Sequence, residues 1–255
     1  MAILTVNNLK KVYTTRFGGN RVEALQDITF SVEQGEFVAI MGESGSGKTT
    51  LLNILAALDA PTSGEVLLDK EPMGNIPEKQ LAAFRRDNLG FVFQDFNLLD
   101  TFSIRDNICL PLVLAGKMSH QEMALRVEPL AQKLGIAAIL DKYPYEVSGG
   151  EKQRSAVARA LVAGPKLLLA DEPTGALDSK STDSLLRVLE DVNRQGQTIL
   201  MVTHSIRVAS HATRVLFIRD GRIFHQIYRG DKKDRDLYQT IMDAQGAVLN
   251  GGAVQ

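Results

Sequence analysis

The 255-residue chain has one cysteine, no tryptophan and only 6% aromatic residues. A lone Cys109 excludes an intrachain disulfide and any zinc site built from several thiolates, which fits a reducing compartment. No apolar run approaches the roughly 18 residues of a membrane-spanning helix; the longest, Leu51–Leu58 and Leu167–Ala170, are short or interrupted. Direct membrane insertion is therefore not expected. The stretch MAILTVNNLKKVY lacks the basic-then-apolar layout of a secretory leader, so a cytoplasmic location is expected. The net charge of −1 supplies no field for nucleic acid. The densest basic cluster, Lys232–Arg235, is diluted by Asp231, Asp234 and Asp236. No nucleic-acid partner is expected.

What is present suits one large α/β domain, or a core with a subdomain. Leu4–Val6, Ile28–Val32 and Phe37–Met41 read as strands, with a polar, glycine-containing connection at Thr14–Asn20. The run at Phe37–Met41 is continuously apolar, as in a strand buried on both faces, and Lys48–Leu58 carries helix formers. The section from about 95 to 163 reads as a helical lobe inserted in the α/β core. Ser119 and Glu122 make a capping box there, with Met123, Val127, Leu130 and Leu134 at helical spacing before Gly135. Pro129 should kink or split that helix. A second helix should start at Ser148 and stop before Gly164-Pro165. Leu167–Ala170 and Thr198–Thr203 then read as buried strands around a helix Thr182–Arg194. Asp220-Gly221 predicts a hairpin between Val215–Ile218 and Arg222–Tyr228. A short helix, Leu237–Ala244, should precede a loose tail, GAVLNGGAVQ.

Four stretches carry chemistry. Gly42-Glu43-Ser44-Gly45-Ser46-Gly47-Lys48-Thr49 satisfies G-x-x-x-x-G-K-[ST] between a strand and a helix. Its glycines let backbone N–H groups turn inward around phosphate oxygens, helped by the positive helix end. Lys48 should reach the β- and γ-phosphates, and the Thr49 hydroxyl should ligate Mg²⁺. Asp171 and Glu172 close the apolar strand of KLLLADEP, Lys166–Pro173, at the carboxyl end where ligands gather in such folds. Asp171 is the expected Mg²⁺ holder; Glu172 should orient the attacking water and take its proton. His204 ends the next apolar strand. Gln94 follows Phe91-Val92-Phe93, where an amide could meet both Mg²⁺ and that water. Ser148-Gly149-Gly150, with Glu151 completing a capping box, is a second anion-binding helix end. A chain with one phosphate cradle already has a use for a second if it serves the nucleotide of another copy.

With these motifs the chain resembles the nucleotide-binding subunit of an ATP-binding cassette (ABC) transporter, over about residues 4–228. The resemblance implies an α/β P-loop NTPase fold with a RecA-like core, an N-terminal antiparallel β subdomain and an inserted helical subdomain. It implies an ABC ATPase domain at 1–230, followed by a C-terminal helix and flexible tail at 231–255. Gly42–Thr49 resembles Walker A, with Thr50 a further nucleotide contact; Lys166–Glu172 resembles Walker B; and Val147–Gln153 resembles the signature sequence. Glu151 stands where glutamine is usual. Tyr13 matches the aromatic that stacks on adenine, Gln94 the lid glutamine and His204 the switch histidine. Gly175-Ala176-Leu177-Asp178 resembles the D-loop, with Gly175 where serine is common.

By the same resemblance ATP and Mg²⁺ are the cofactors. Two copies pair head to tail, each ATP lying between Walker A of one and Ser148–Gly150 of the other. An integral membrane permease is the partner, holding the subunit peripherally on the inner face of the membrane. In relatives Phe96, Leu98, Leu99 and Phe102 sit where the permease docks; the plainer reading is core of the helical lobe. GFVFQDFNLLDT, DKYPYEVSGGEKQR and ADEPTGALDSK are similar to ATPases of bacitracin-type peptide-antibiotic resistance transporters, while macrolide-export and lipoprotein-release ATPases share most of these segments. DNA-maintenance ATPases with the same head carry heptad arms or zinc-binding cysteines, and translation factors carry two cassettes; the chain has neither. A switch GTPase would need an Asn-Lys-x-Asp motif, which is missing.

Overall fold

The computed structural model describes residues 1–14 and 21–249. It divides into two compact units, one made of 1–76 and 198–255, the other of Pro77–Gln197. The first unit begins with β1 (Ala2–Thr14), β2 (Arg21–Glu33), β3 (Phe37–Met41), α1 (Lys48–Leu55), β4 (Ser63–Leu68) and β5 (Glu71–Pro72). The second holds α2 (Glu78–Asn88), β6 (Leu89–Val92), α3 (Ile104–Ala115), α4 (His120–Lys133), α5 (Gly149–Leu161), β7 (Leu167–Asp171) and α6 (Ser179–Arg194). The chain re-enters the first unit for β8 (Thr198–Val202), α7 (Ile206–Ala209), β9 (Arg214–Arg219), β10 (Arg222–Tyr228) and α8 (Asp234–Leu249).

In the first unit an antiparallel sheet runs β2-β1-β4-β5. Leu4, Val6 and Val32 are buried while their neighbours Thr5 and Ser31 are half-buried, the period-two alternation of a sheet with one covered face. A second set runs β10-β9-β3-β8. β3 lies parallel to both β8 and β9, and all five of its residues are buried. Flanked on both edges and covered on both faces, it has no place for a polar side chain. The hairpin between β9 and β10 turns at Asp220 (φ 48°) and Gly221 (φ 71°), two successive positive φ values as a type I′ turn requires. The expected connection at Thr14–Asn20 lies outside the described residues beyond Thr14. α8 is longer than Leu237–Ala244: Leu237, Ile241 and Ala244 are buried at helical spacing, and the helix reaches Leu249. Residues 246–249 of the expected tail are therefore helical, and 250–255 lie outside the described residues.

In the second unit β6 and β7 are parallel, with Val92 opposite Ala170. α4 begins at the Ser119–Glu122 capping box but runs unbroken through Pro129. The proline is exposed, and Leu125, whose carbonyl loses its helical donor, is 74% exposed, so water can replace the missing bond. α5 starts after Ser148 as expected. α6 starts three residues earlier than expected, because Asp178 caps it: its Oδ1 accepts the N–H groups of Lys180 and Ser181. Asn107, wholly buried on α3, holds the loop before that helix. Its Oδ1 accepts the Leu99 N–H at 2.7 Å, and its Nδ2 donates to the carbonyls of Leu99, Phe102 and Ser103. Thus fixed, Leu99 and Phe102 stay 44% and 39% exposed rather than joining the core. No described helix is long and apolar enough to cross a membrane.

Candidate functional site

The glycine loop leaves β3 and enters α1. Gly47 caps α1 with φ 101° and brings no side-chain cap to that helix end, whose positive dipole favours an anion. A Cβ on Gly47 would sit 2.5 Å from the Ala24 carbonyl oxygen, closer than any side chain tolerates. Lys48 Nζ donates to the carbonyls of Gly42 at 2.8 Å and Glu43 at 2.7 Å, so the ammonium is held over the loop by the chain itself. The parallel register places Ile40 opposite Val202, and the Thr203 N–H donates to the Ile40 carbonyl. His204, exposed just past the end of β8, therefore emerges at the strand ends where β3 becomes the glycine loop.

Tyr13, near the end of β1, is tied to the same unit by its hydroxyl, which donates to Asp59 Oδ2 at 2.8 Å and also hydrogen-bonds Thr50 on α1. Lys11 Nζ bonds Asp59 Oδ1 at 2.6 Å and the Ala60 carbonyl, and lies 4.8 Å from the Tyr13 ring centroid. Burial opposes ionisation of Asp59, but hydrogen bonds from Lys11, Tyr13 and the Ala60 N–H outweigh it and hold the carboxyl below its ordinary range. Burial and the bond to Asp59 push the Tyr13 phenol up. The ring is thereby oriented while remaining 43% exposed.

In the second unit β7 ends at Asp171, one residue later than expected, and Glu172 follows with φ 44°. A non-glycine residue in this left-handed region is strained, and such strain gathers at functional positions. The Gly175 N–H closes the turn on the Glu172 carbonyl at 2.9 Å. Because β6 and β7 are in parallel register, Gln94, two residues past the end of β6, comes out beside Asp171 and Glu172. A Cβ on Gly175 would lie 3.0 Å from Gln94 Cδ, so the glycine found where serine is common lets the amide pack down on that turn.

The signature cap is fully formed. Ser148 N–H and Oγ–H both donate to Glu151 Oε2, at 2.8 and 2.7 Å, and the Glu151 N–H returns a bond to Ser148 Oγ at 3.4 Å. The Ser148 hydroxyl and then its N–H hold the Glu151 carboxyl below its ordinary range. A capping box accepts Glu or Gln at this position, which is why the departure from glutamine leaves the motif whole. The two glycines differ. A Cβ on Gly150 would meet Ser181 Oγ at 2.8 Å, so α5 needs it to approach α6; a Cβ on Gly149 would meet nothing closer than 3.7 Å. Asp178 has its carboxylate committed to Ser181 and Lys180, and the Ser181 N–H leads in lowering its pKa.

The ABC transporter family model matches residues 25–175, more than half of the chain. The chain belongs to the ABC transporter family. It is 50% identical over 252 residues to the uncharacterized ABC transporter ATP-binding protein YvcR of Bacillus subtilis, covering 98% of this chain and 96% of that one. It is 47% identical to the bacitracin export ATP-binding protein BceA of Halalkalibacterium halodurans, covering 98% of each. Among solved structures it resembles the dimeric bacterial ABC transporter cassette MJ0796, with TM-score 0.80, 38% identity, and 88% of this chain and 98% of that one covered. A second structure of MJ0796 is a dimeric post-hydrolysis state bound to ADP and Pi. The chain is thus an ATP-binding ABC ATPase with the α/β fold of such cassettes.

Two features of this ABC cassette escape motif reading, and a third, Gln153, closes the signature stretch without its contacts being legible there. The Lys11–Asp59 pair behind Tyr13 leaves no mark in the sequence. Nor does Arg159 on α5, which donates to the carbonyls of Phe96 and Asn97 and whose pKa burial lowers. Gln153, wholly buried, did leave a signal: Gly150, Gln153, Ala156, Val157 and Ala160 share the buried face of α5, and a glutamine in an apolar stripe is unusual. For the glycine loop one outcome is expected. Gly47→Ala should lower stability by about 1–2 kcal/mol from backbone strain alone, a melting-temperature drop of roughly 2–4 °C per kcal/mol. An unchanged melting temperature would show that the loop relaxes freely.

Proposed function

We propose that this ATPase works as one of two identical cassettes that drive a separate integral membrane permease, in a system that removes or exports a peptide antibiotic of the bacitracin type. The observation that carries the pairing is Gly149. Its own fold gives no reason for a missing side chain there, in the first turn of the capped helix beside an exposed Ser148. A sibling's triphosphate approaching closely gives one.

In this reading Lys48 exchanges the carbonyls of Gly42 and Glu43 for β- and γ-phosphate oxygens, and the loop from Gly42 to Thr50, including Glu43, Ser44, Gly45 and Ser46, wraps the phosphates. Tyr13 stacks on adenine, its ring held by Asp59 and Lys11. Glu172 accepts the proton of the attacking water, while Gln94 orients that water and His204 senses the γ-phosphate. Asp178 lends the D-loop to the sibling's site. Among the described residues no group of three or more His, Cys, Asp and Glu could hold a metal ion. That suits a Mg²⁺ that arrives with the nucleotide, since this cation keeps waters and takes only a few protein oxygens beside substrate phosphates. Thr49, Asp171 and Gln94 carry hard oxygens of that kind. When bound, the ion neutralises charge on the phosphate oxygens.

The permease reading is supported by a surface groove of about 350 Å³ in the second unit, lined by Phe91, Phe93, Leu110 and Leu114 together with Arg85 and Arg86. Leu114 is 67% exposed, and Leu99 and Phe102 are held outward by Asn107. Apolar surface of this sort, with arginines among it, fits a protein partner. The bacitracin reading is supported by the full-length similarity to BceA. Such a subunit would lie peripherally on the cytoplasmic face.

Glu172→Gln should lower steady-state phosphate release by roughly 10²–10⁴-fold while retaining ATP binding; unchanged turnover would remove Glu172 as the base. Deleting the gene should sensitise cells to bacitracin-type antibiotics. Normal tolerance to all of them would favour macrolide efflux or lipoprotein release as the task.

A further inference from the structure

The signature helix α5 grips the lid segment on both sides of Gln94. Ahead of it, Gln153 Nε2 donates to the Phe93 carbonyl at 3.1 Å; behind it, Arg159 donates to the carbonyls of Phe96, at 2.9 Å, and Asn97. The same Gln153 Nε2 donates its other hydrogen to the Pro173 carbonyl at 2.7 Å, one residue beyond Glu172. Two carbonyl acceptors settle which end of the amide is nitrogen. The side chain is wholly buried, and its Oε1 has no hydrogen-bond partner among the described residues. An apolar side chain of the same shape would leave both carbonyls without this donor, so the amide serves the two bonds although its own oxygen stays unpaired. The two bonds join backbone at the lid to backbone just past the end of β7, a span that needs a side chain with two donors on one atom.

We infer that Gln153 is a positioning residue for hydrolysis: it links α5 to the carriers of Gln94 and Glu172, so that a shift at Ser148–Gly150 moves both groups together. The inference rests on the roles proposed above for Gln94 and Glu172. It adds a direction of coupling. Contact between the α5 cap and a sibling's γ-phosphate would reach the water-orienting amide and the proton acceptor through one side chain, without passing through the glycine loop. Hydrogen bonds from a buried side chain of a helix to the backbone beside both groups can transmit such a shift.

Gln153→Met keeps the volume and removes both bonds; Gln153→Asn keeps the amide but is one methylene too short to span both carbonyls. In the full-length protein the expected order of kcat is Gln, then Asn, then Met, with Met lowered roughly 10- to 100-fold as for a small misplacement of reacting groups. KM for ATP should stay within about twofold, the signature of an interaction felt only in the transition state. Thermal unfolding is measured on the same samples. Wild-type kcat in both variants would overturn the inference. So would a fall in kcat that comes with an equal rise in KM and a matching loss of stability, since that is a packing defect. If the Met variant does not fold, the Asn variant decides by the same criteria. Glu172→Gln run in parallel separates the two levels. Turnover retained in Glu172→Gln defeats the role of Glu172 itself, whereas turnover lost there but retained in Gln153→Met and Gln153→Asn defeats only the link.

Discussion

The passage from β3 into α1 leaves no room for a side chain at Gly47, and the first unit is built around that turn. Gly47 lies so close to the Ala24 carbonyl that a single methyl group would displace the loop. Lys48, bonded to the carbonyls of Gly42 and Glu43, keeps positive charge over the same spot. The loop can be this tight because β3 enters it from a strand buried on every side, flanked by β8 and β9 in parallel register. The same register delivers His204 to the strand ends, and Thr50 on α1 reaches back to Tyr13. The glycine loop and the position of His204 thus follow from one strand's surroundings, and the proposed nucleotide contacts rest on them.

The second unit solves a related problem with different parts. β6 and β7 end side by side and set Gln94 next to Asp171 and Glu172. α5, capped by Ser148 and Glu151, then packs its buried face against this arrangement and bonds the lid segment through Gln153 and Arg159. A strained Glu172 backbone is tolerated because the turn to Gly175 and the bond from Gln153 to Pro173 bracket it. The role proposed for Glu172 depends on this rigidity, since an acid–base group displaced by an ångström loses much of its effect.

The motifs, β3, the β9–β10 hairpin and the caps at Ser119 and Ser148 were legible in the sequence because each rests on local rules: glycine spacing, unbroken apolar runs, paired capping residues. β1 and β2 run far beyond Leu4–Val6 and Ile28–Val32 because irregular register breaks their alternation. α2 was not foreseen at all; Phe84 is its one buried residue, too little for a periodic signal. Pro129 misled because the cost of proline depends on whether water can reach the orphaned carbonyl, a tertiary fact. Asn107, the Lys11–Asp59 pair and the contacts of Gln153, though not its place in an apolar stripe, depend on burial and on partners distant in the chain. A sequence reports neither.

The most direct test of the two-copy site is the mass in solution of full-length Glu172→Gln protein by light scattering, with and without MgATP. The expected result is a monomer that becomes a dimer when ATP is added, with Ser148→Arg in the same background remaining monomeric. A protein that binds ATP yet keeps its monomer mass, in the presence of its membrane partner as well as alone, would contradict it.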